Sequence, residues 1–192
     1  MNKKILVSLV LISLVASAVL FAQGTKEIST TTSPVANEVL SQIEDNTSST
    51  LLGASAAKAG EYFTLEEMLK YALEDEKLAL AEYAFIMDEF NVSRPFSNII
   101  KAEQSHQNAI LYLYDVYGFE IEEFDASEHV VLPNSLAEIY DVGVEAEIAN
   151  IAMYDKFLAT EDLPDDVRRV FEALKNGSIS HLQAFERQAS KY

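Results

Sequence analysis

Four stretches of the chain carry apolar residues at helical spacing, and midway along each seam stands an acid, a histidine or a serine where a core residue belongs. In the first, Leu69, Ala72, Leu73, Leu80, Tyr83, Met87 and Phe90 recur, and Glu76 fills the slot between Leu73 and Leu80. In the second, Phe96, Ile99, Ile110, Leu113 and Tyr117 flank Glu103 and His106. The third runs Tyr140, Val144, Ile151, Tyr154 and Leu158 around Glu147, and the fourth runs Val167, Phe171, Leu174 and Phe185 around Ser178 and His181. Three carboxylates and two imidazoles therefore point at one core. A bare buried carboxylate costs several kcal/mol or neutralises by shifting its pKa, so three at one level call for a compensating cation. A metal centre is the economical answer.

The chain has 192 residues, long enough for one domain with a sizeable core. Its 14 Lys and Arg against 31 Asp and Glu give a net charge of −17, which argues against nucleic acid and anionic membrane surfaces, since both need clustered Lys or Arg. With no Cys there is no disulfide framework, thiolate zinc site or iron–sulfur cluster.

Residues 1–22 read as an export signal: Lys3 and Lys4 precede an apolar or small run from Ile5 to Ala22, with small residues for cleavage at Ala16, Ala18 or Ala22. The expected location is secreted or periplasmic. An uncleaved anchor is the alternative, because the run approaches the roughly 20 residues of a spanning helix. Residues 23–60, rich in Ser, Thr, Ala and Gly, read as a flexible linker, and residues 61–192 as the folded domain.

Within that domain Thr64 and Glu67 form a capping box, with Phe63 placed to staple onto Met68, and the first helix is expected to end near Phe90. The short link Asn91 to Pro95 forces an antiparallel hairpin, and the second helix is expected from Phe96 to a terminating Gly118. Residues 119–134 lack a helical period. About 16 extended residues at about 3.3 Å each can span a helix about 33 Å long, so this segment can cross the whole bundle. The third helix is expected from Asn134 to Ala159, broken near Gly143, and the fourth from Pro164, with Asp165 and Asp166 at its positive end. The expected fold is all-α: a four-helix bundle of two antiparallel hairpins joined by one long crossover, which is the ferritin-like form.

An internal repeat runs through it. Glu76 and Glu147 each have a tyrosine seven residues on, Tyr83 and Tyr154, stacked on the same face of the same helix. The other two helices carry Glu103-Gln-Ser-His106 and Ser178-Ile-Ser-His181, again one face per pair. Each pair alone is a weak signal. The weight comes from the order Glu, Glu-x-x-His, Glu, x-x-x-His, with every member on a seam.

With these residues in view, the chain resembles the ferritin-like superfamily of di-iron carboxylate proteins, and within it a family of secreted bacterial ferritin-like domains. The resemblance covers about residues 62–190 and is carried by Glu76-Lys-Leu-Ala, Phe96-Ser-Asn-Ile, Glu103-Gln-Ser-His106 and Gly177-Ser-Ile-Ser-His181. It implies that Glu76, Glu103, His106, Glu147 and His181 are metal ligands. Ser178 departs from the family pattern, which has a second glutamate there. A serine can hold a water or bond a neighbour but cannot bridge two metals, so the site is one anion poorer and two irons, one metal or a degenerate site all stay open.

Tyr83 and Tyr154 read as core aromatics whose hydroxyls bond the carboxylates rather than as redox radicals. His129 reads as a surface residue of the crossover, and Tyr112, Tyr114 and Tyr117 as a packing face. Two functions from different classes follow. One is an oxidoreductase of ferroxidase or peroxide-reducing type, holding iron, with manganese or zinc as other metals of the same ligand chemistry, and using oxygen or peroxide. The other is a non-catalytic metal-binding or interaction module of the cell envelope. With no cysteine relay, any electron donor is external or Fe(II) itself; a homodimer stays open. Glu103 and His106, from one helix turn, are expected to be the least replaceable pair.

Overall fold

The computed structural model describes residues 51–192, so the export signal and most of the linker reading lie outside the described residues. Five helices are present among these residues and no strand: α1 (Gly53–Ala59), α2 (Leu65–Glu89), α3 (Phe96–Tyr117), α4 (Leu136–Leu158) and α5 (Asp165–Ala189). None is long and apolar enough to cross a membrane.

The local signals account for most of the ends. Thr64 and Glu67 make the full capping box at the start of α2. Gly118 stops α3 in the left-handed region at φ 68°, as a C-terminal glycine can without a Cβ penalty. The hydroxyl of Ser135 accepts from Glu138 N–H to start α4. Between α4 and α5, the Arg168 guanidinium donates to the carbonyls of Leu158 (2.9 Å) and Thr160 (3.0 Å), closing the short link. Phe63 sets its ring edge-on against Tyr71 and Phe157.

Two expectations need correction. Gly143 does not break α4, which is continuous. A Cβ there would stand 2.9 Å from the Phe185 ring, so the glycine lets α5 close onto α4, and that packing outweighs its poor helix propensity. The linker reading also ends too late. Residues 53–59 form α1, with Ala54 and Ala57 buried in the core. Gly53 N–H donates to Glu74 Oε2 (3.0 Å) and Ala54 N–H to Asp75 Oδ1 (2.8 Å), while Lys156 Nζ donates to the carbonyls of Ala57 (2.8 Å) and Gly60 (2.6 Å). Seven residues make a marginal helix in water, so these tertiary bonds hold it.

Residue pairs across the helices give their directions. Glu76 meets Tyr154 while Tyr83 meets Glu147, so α2 and α4 run antiparallel. Glu147 lies beside His181 and Gly143 beside Phe185, so α4 and α5 do too. Glu103 lies beside His181, and Tyr117 donates to Asp166, which makes α3 and α5 antiparallel. It follows that α3 and α4 point the same way, and the chain between them must return along the molecule. That segment lies along α2, held by an ion pair of Lys70 with Glu122 and by the Lys77 ammonium 5.4 Å above the Phe124 ring; it has one 3-10 turn, Ala126–His129. His129 is exposed there, as expected. The Tyr112, Tyr114 and Tyr117 face is not uniform: Tyr114 is buried, Tyr117 half-buried and Tyr112 exposed.

The buried apolar side chains form two clusters. One gathers Leu69, Leu113, Phe157 and Phe171 with α1, and the other gathers Tyr83, Phe96, Ile139 and Phe185. Buried Glu76, Glu103, Glu147, Asn150, Ser178 and His181 belong to neither.

Candidate metal centre

Each long helix delivers its seam residues to one place. His106 Nδ1 on α3 lies 3.1 Å from Glu76 Oε2 on α2 and 3.0 Å from Glu103 Oε2 one turn earlier. His181 Nδ1 on α5 lies 3.0 Å from Glu103 Oε1 and 3.5 Å from Glu147 Oε1 on α4. The five residues thus form two trios, Glu76–Glu103–His106 and Glu103–Glu147–His181, in each of which the ligating atoms lie within 4.8 Å of one another. Glu103 belongs to both and offers one oxygen to each. The two imidazoles stack at 5.7 Å between centroids, which sets the trios side by side.

The electrostatics follow from burial and these contacts. Burial, with Glu103 beside it, pushes the Glu76 carboxyl well above its ordinary value, and burial raises Glu147. Burial works in the same direction on Glu103, but the imidazoles of His106 and His181 beside it outweigh it and hold that carboxyl far below the usual range. Burial works to lower both imidazoles. The carboxylates facing them prevail and raise His106 to about 10 and His181 to about 9. Protons thus occupy the interior where a cation is called for.

The residues fit a metal. His181 Nδ1 is buried and finds no hydrogen-bond partner of acceptable geometry, although two carboxylate oxygens are close, so its lone pair or proton is aimed into the centre without being satisfied. Such orphaned buried atoms are rare and call for an explanation. The donor set of carboxylate oxygens and imidazole nitrogens suits iron, manganese or zinc.

Tyr83 and Tyr154 do bond the carboxylates, but crosswise. Tyr83 Oη donates to Glu147 (3.0 Å) and Tyr154 Oη to Glu76 (2.7 Å). Seven residues of helix rise about 10.5 Å, too far for a tyrosine to reach its own glutamate, and the antiparallel pairing of α2 with α4 brings each level with the other's. Burial raises both phenols well above their ordinary value, so they remain donors. Gln107 Nε2 donates to the Glu76 carbonyl at 2.9 Å and ties α3 to α2 at this level.

Ser178 lies one turn before His181, buried, at the same level. Its hydroxyl donates to Asn150 Oδ1 at 2.6 Å, and the Asn150 amide donates in turn to Asp75 Oδ2. Asn150 and Asp75 escaped the sequence reading. Asn150 follows Glu147 by three, the same spacing that marks Glu103–His106 and Ser178–His181, so its signal was available. Asp75 had none, since it lies beside the seam and its partners come from other helices.

Gly177 has a specific role. A Cβ there would stand 2.5 Å from Cε1 and 2.6 Å from Nε2 of His106, so only glycine lets that ring pack against α5. Gly177→Ala should improve α5 by up to about 1 kcal/mol of helix propensity, yet it must push the imidazole off its carboxylates. We expect metal affinity to fall at least about tenfold with helix content unchanged, in line with losses on disturbing ligand orientation. Metal titration alongside circular dichroism checks this; unaltered affinity would mean that the ring position is unimportant.

All the residues of the two trios lie within a recognisable family span. The chain belongs to the family described as "Uncharacterized protein domain (DUF2202)", which matches residues 66–191. It is 30% identical over 134 residues to the uncharacterized protein MJ0754 of Methanocaldococcus jannaschii, an alignment covering 62% of this chain and 71% of the relative. Its fold is similar to the crystal structure of the hypothetical protein MJ0754 from Methanococcus jannaschii, with a TM-score of 0.60 and 26% identity over 69% of this chain and 85% of that one. The matched family span begins inside α2, so α1 precedes it.

Proposed function

We propose that this chain is a ferritin-like protein of the di-iron carboxylate type, a four-helix bundle whose two trios hold two metal ions, and that it acts as an oxidoreductase of ferroxidase or peroxide-reducing type. The observation that carries this reading is Glu103, which faces both imidazoles with one oxygen each inside a buried layer. The parallel sense of α3 and α4, with the returning segment between them, supports the ferritin-like topology. The run from Lys3 to Ala22 supports export.

Bound iron would supply redox cycling and open coordination positions for oxygen or peroxide. The chain supplies the rest. Glu76, Glu103, Glu147, His106 and His181 present five ligands, of which the carboxylates offset most of the charge of two divalent ions. Tyr83 and Tyr154 hold Glu147 and Glu76 in orientation through their hydroxyl protons. Aromatic packing on both sides, with Phe96, Phe185, Phe157 and Phe171 fully buried, keeps bulk water away. Reductant must come from outside or be Fe(II) itself, because the chain has no cysteine.

Ser178 in place of a carboxylate favours the second reading, a non-catalytic metal-binding module of the cell envelope. Loading metal-free protein with Fe(II) separates the two. We expect uptake approaching two ions per chain and Fe(II) oxidation by oxygen or peroxide faster than that of free Fe(II) in the same buffer. Uptake with oxidation no faster than free Fe(II) would leave the binding module standing; no uptake would end the metal reading.

A further inference from the structure

A small cavity, about 20 Å³ in volume, lies beside the two trios, lined among others by Glu76, Glu103, Glu147, Asn150 and Ser178. A cavity of roughly 10–15 Å³ holds one water, so this one has room for a ligand of a few heavy atoms.

Its polarity is set by a chain of hydrogen bonds that runs along its wall from Asp75. Asp75 Oδ1 is taken by Ala54 N–H at 2.8 Å, and Asp75 Oδ2 accepts the Asn150 amide. With its NH2 turned to Asp75, Asn150 presents its carbonyl oxygen to Ser178, which donates its single proton there at 2.6 Å. The Leu174 carbonyl, 3.2 Å from the same hydroxyl, is a second acceptor for that proton. A serine hydroxyl has one proton and two lone pairs, so what it turns to the cavity is acceptor capacity. The Tyr83 hydroxyl on the cavity wall is spent as well, on Glu147.

We propose that Ser178 is a hydrogen-bond acceptor, beside the carboxylates, of a built position for a small ligand bearing an O–H group, hydrogen peroxide or water, and that Asn150 and Asp75 are the positioning residues that fix the polarity of its hydroxyl. The proposal rests on the metal reading above and adds selectivity: the position favours a protic oxygen ligand over an aprotic anion of similar size such as azide.

The test uses Zn(II), which holds the ligand set without turnover. Zn(II)-loaded wild type, Ser178→Ala and Asp75→Ala are titrated calorimetrically with hydrogen peroxide and, separately, with azide; circular dichroism checks folding. Loss of one neutral hydrogen bond of about 1 kcal/mol corresponds to roughly fivefold in affinity, so Ser178→Ala should weaken peroxide about fivefold and leave azide unchanged. Asp75→Ala, which frees the Asn150 amide to turn, should narrow the peroxide-to-azide ratio in the same direction while Zn(II) is retained, a readout that mere loss of packing would not move. Equal weakening of both ligands, or no change in either, with Zn(II) still bound, overturns this proposal and leaves the metal reading intact. Failure of the wild type to take up Zn(II) or Fe(II) would bring down both.

Discussion

Glu103→Ala is expected to empty both halves of the centre at once, whereas His106→Ala should remove only one. The difference comes from Glu103 serving both trios, with His106 on Oε2 and His181 on Oε1, while each imidazole belongs to one trio. From sequence, Glu103 and His106 rank together as the least replaceable pair; the geometry separates them. Metal per chain after dialysis should therefore fall from about two to about zero in Glu103→Ala and to about one in His106→Ala, because Glu103 is a member of both trios and His106 of one. The metal-free Glu103→Ala protein should also lose stability, by about 3 kcal/mol, because both imidazoliums lose a buried partner. That loss is within the roughly 5–15 kcal/mol of an ordinary domain, so the helices should persist. Two ions still bound without Glu103 would refute the shared-ligand geometry.

The second large effect is on pH. In the metal-free protein His106 and His181 titrate at about 10 and about 9, above the roughly 6.5 of an unfolded imidazole. Groups raised on folding contribute stability that is complete below the unfolded value and lost as pH climbs through the folded one. Glu76 and Glu147, also raised, act in the same sense. Glu103 is lowered, so its contribution is present above the ordinary carboxylate range and disappears only in acid. Metal-free protein should therefore weaken steadily between about pH 7 and about pH 10. A metal must displace the imidazolium protons and those held by the raised Glu76 and Glu147 carboxyls, so binding at about pH 7 should release at least about one proton per histidine and tighten as pH rises. Calorimetry in buffers of different ionisation enthalpy counts those protons. Metal bound with no proton release, or stability flat to pH 10, would contradict the ion-paired interior described above.

The centre was legible because its residues break a pattern. Glu76 and Glu147 stand in slots that periodicity reserves for apolar side chains, and His106 and His181 repeat a spacing of three within their turns. Local signals of this kind survive folding, as do the Thr64 capping box and the Gly118 stop. What could not be read depends on which helix lies beside which. The tyrosines stack over their own glutamates in sequence yet bond the opposite ones, and nothing along a single helix distinguishes these outcomes. Helix α1 was hidden for another reason. Gly, Ala and Ser carry almost no hydrophobic signal, and Ala54 and Ala57 become core only because Glu74, Asp75 and Lys156 capture the surrounding backbone. The Gly143 expectation erred in weighing propensity alone, with the Phe185 ring that needs the space 42 residues away in the chain.

The division of the interior into two apolar clusters with charged side chains between them has a consequence for traffic. An ion or a small polar molecule cannot reach the middle along the axis, since at either end it would have to pass through packed aromatic rings that offer it no partner. Passage must be sideways, between neighbouring helices, and two small side chains at that height, Ala79 on α2 and Ala146 on α4, border the cavity. Such a molecule is entered at its waist and not at its ends.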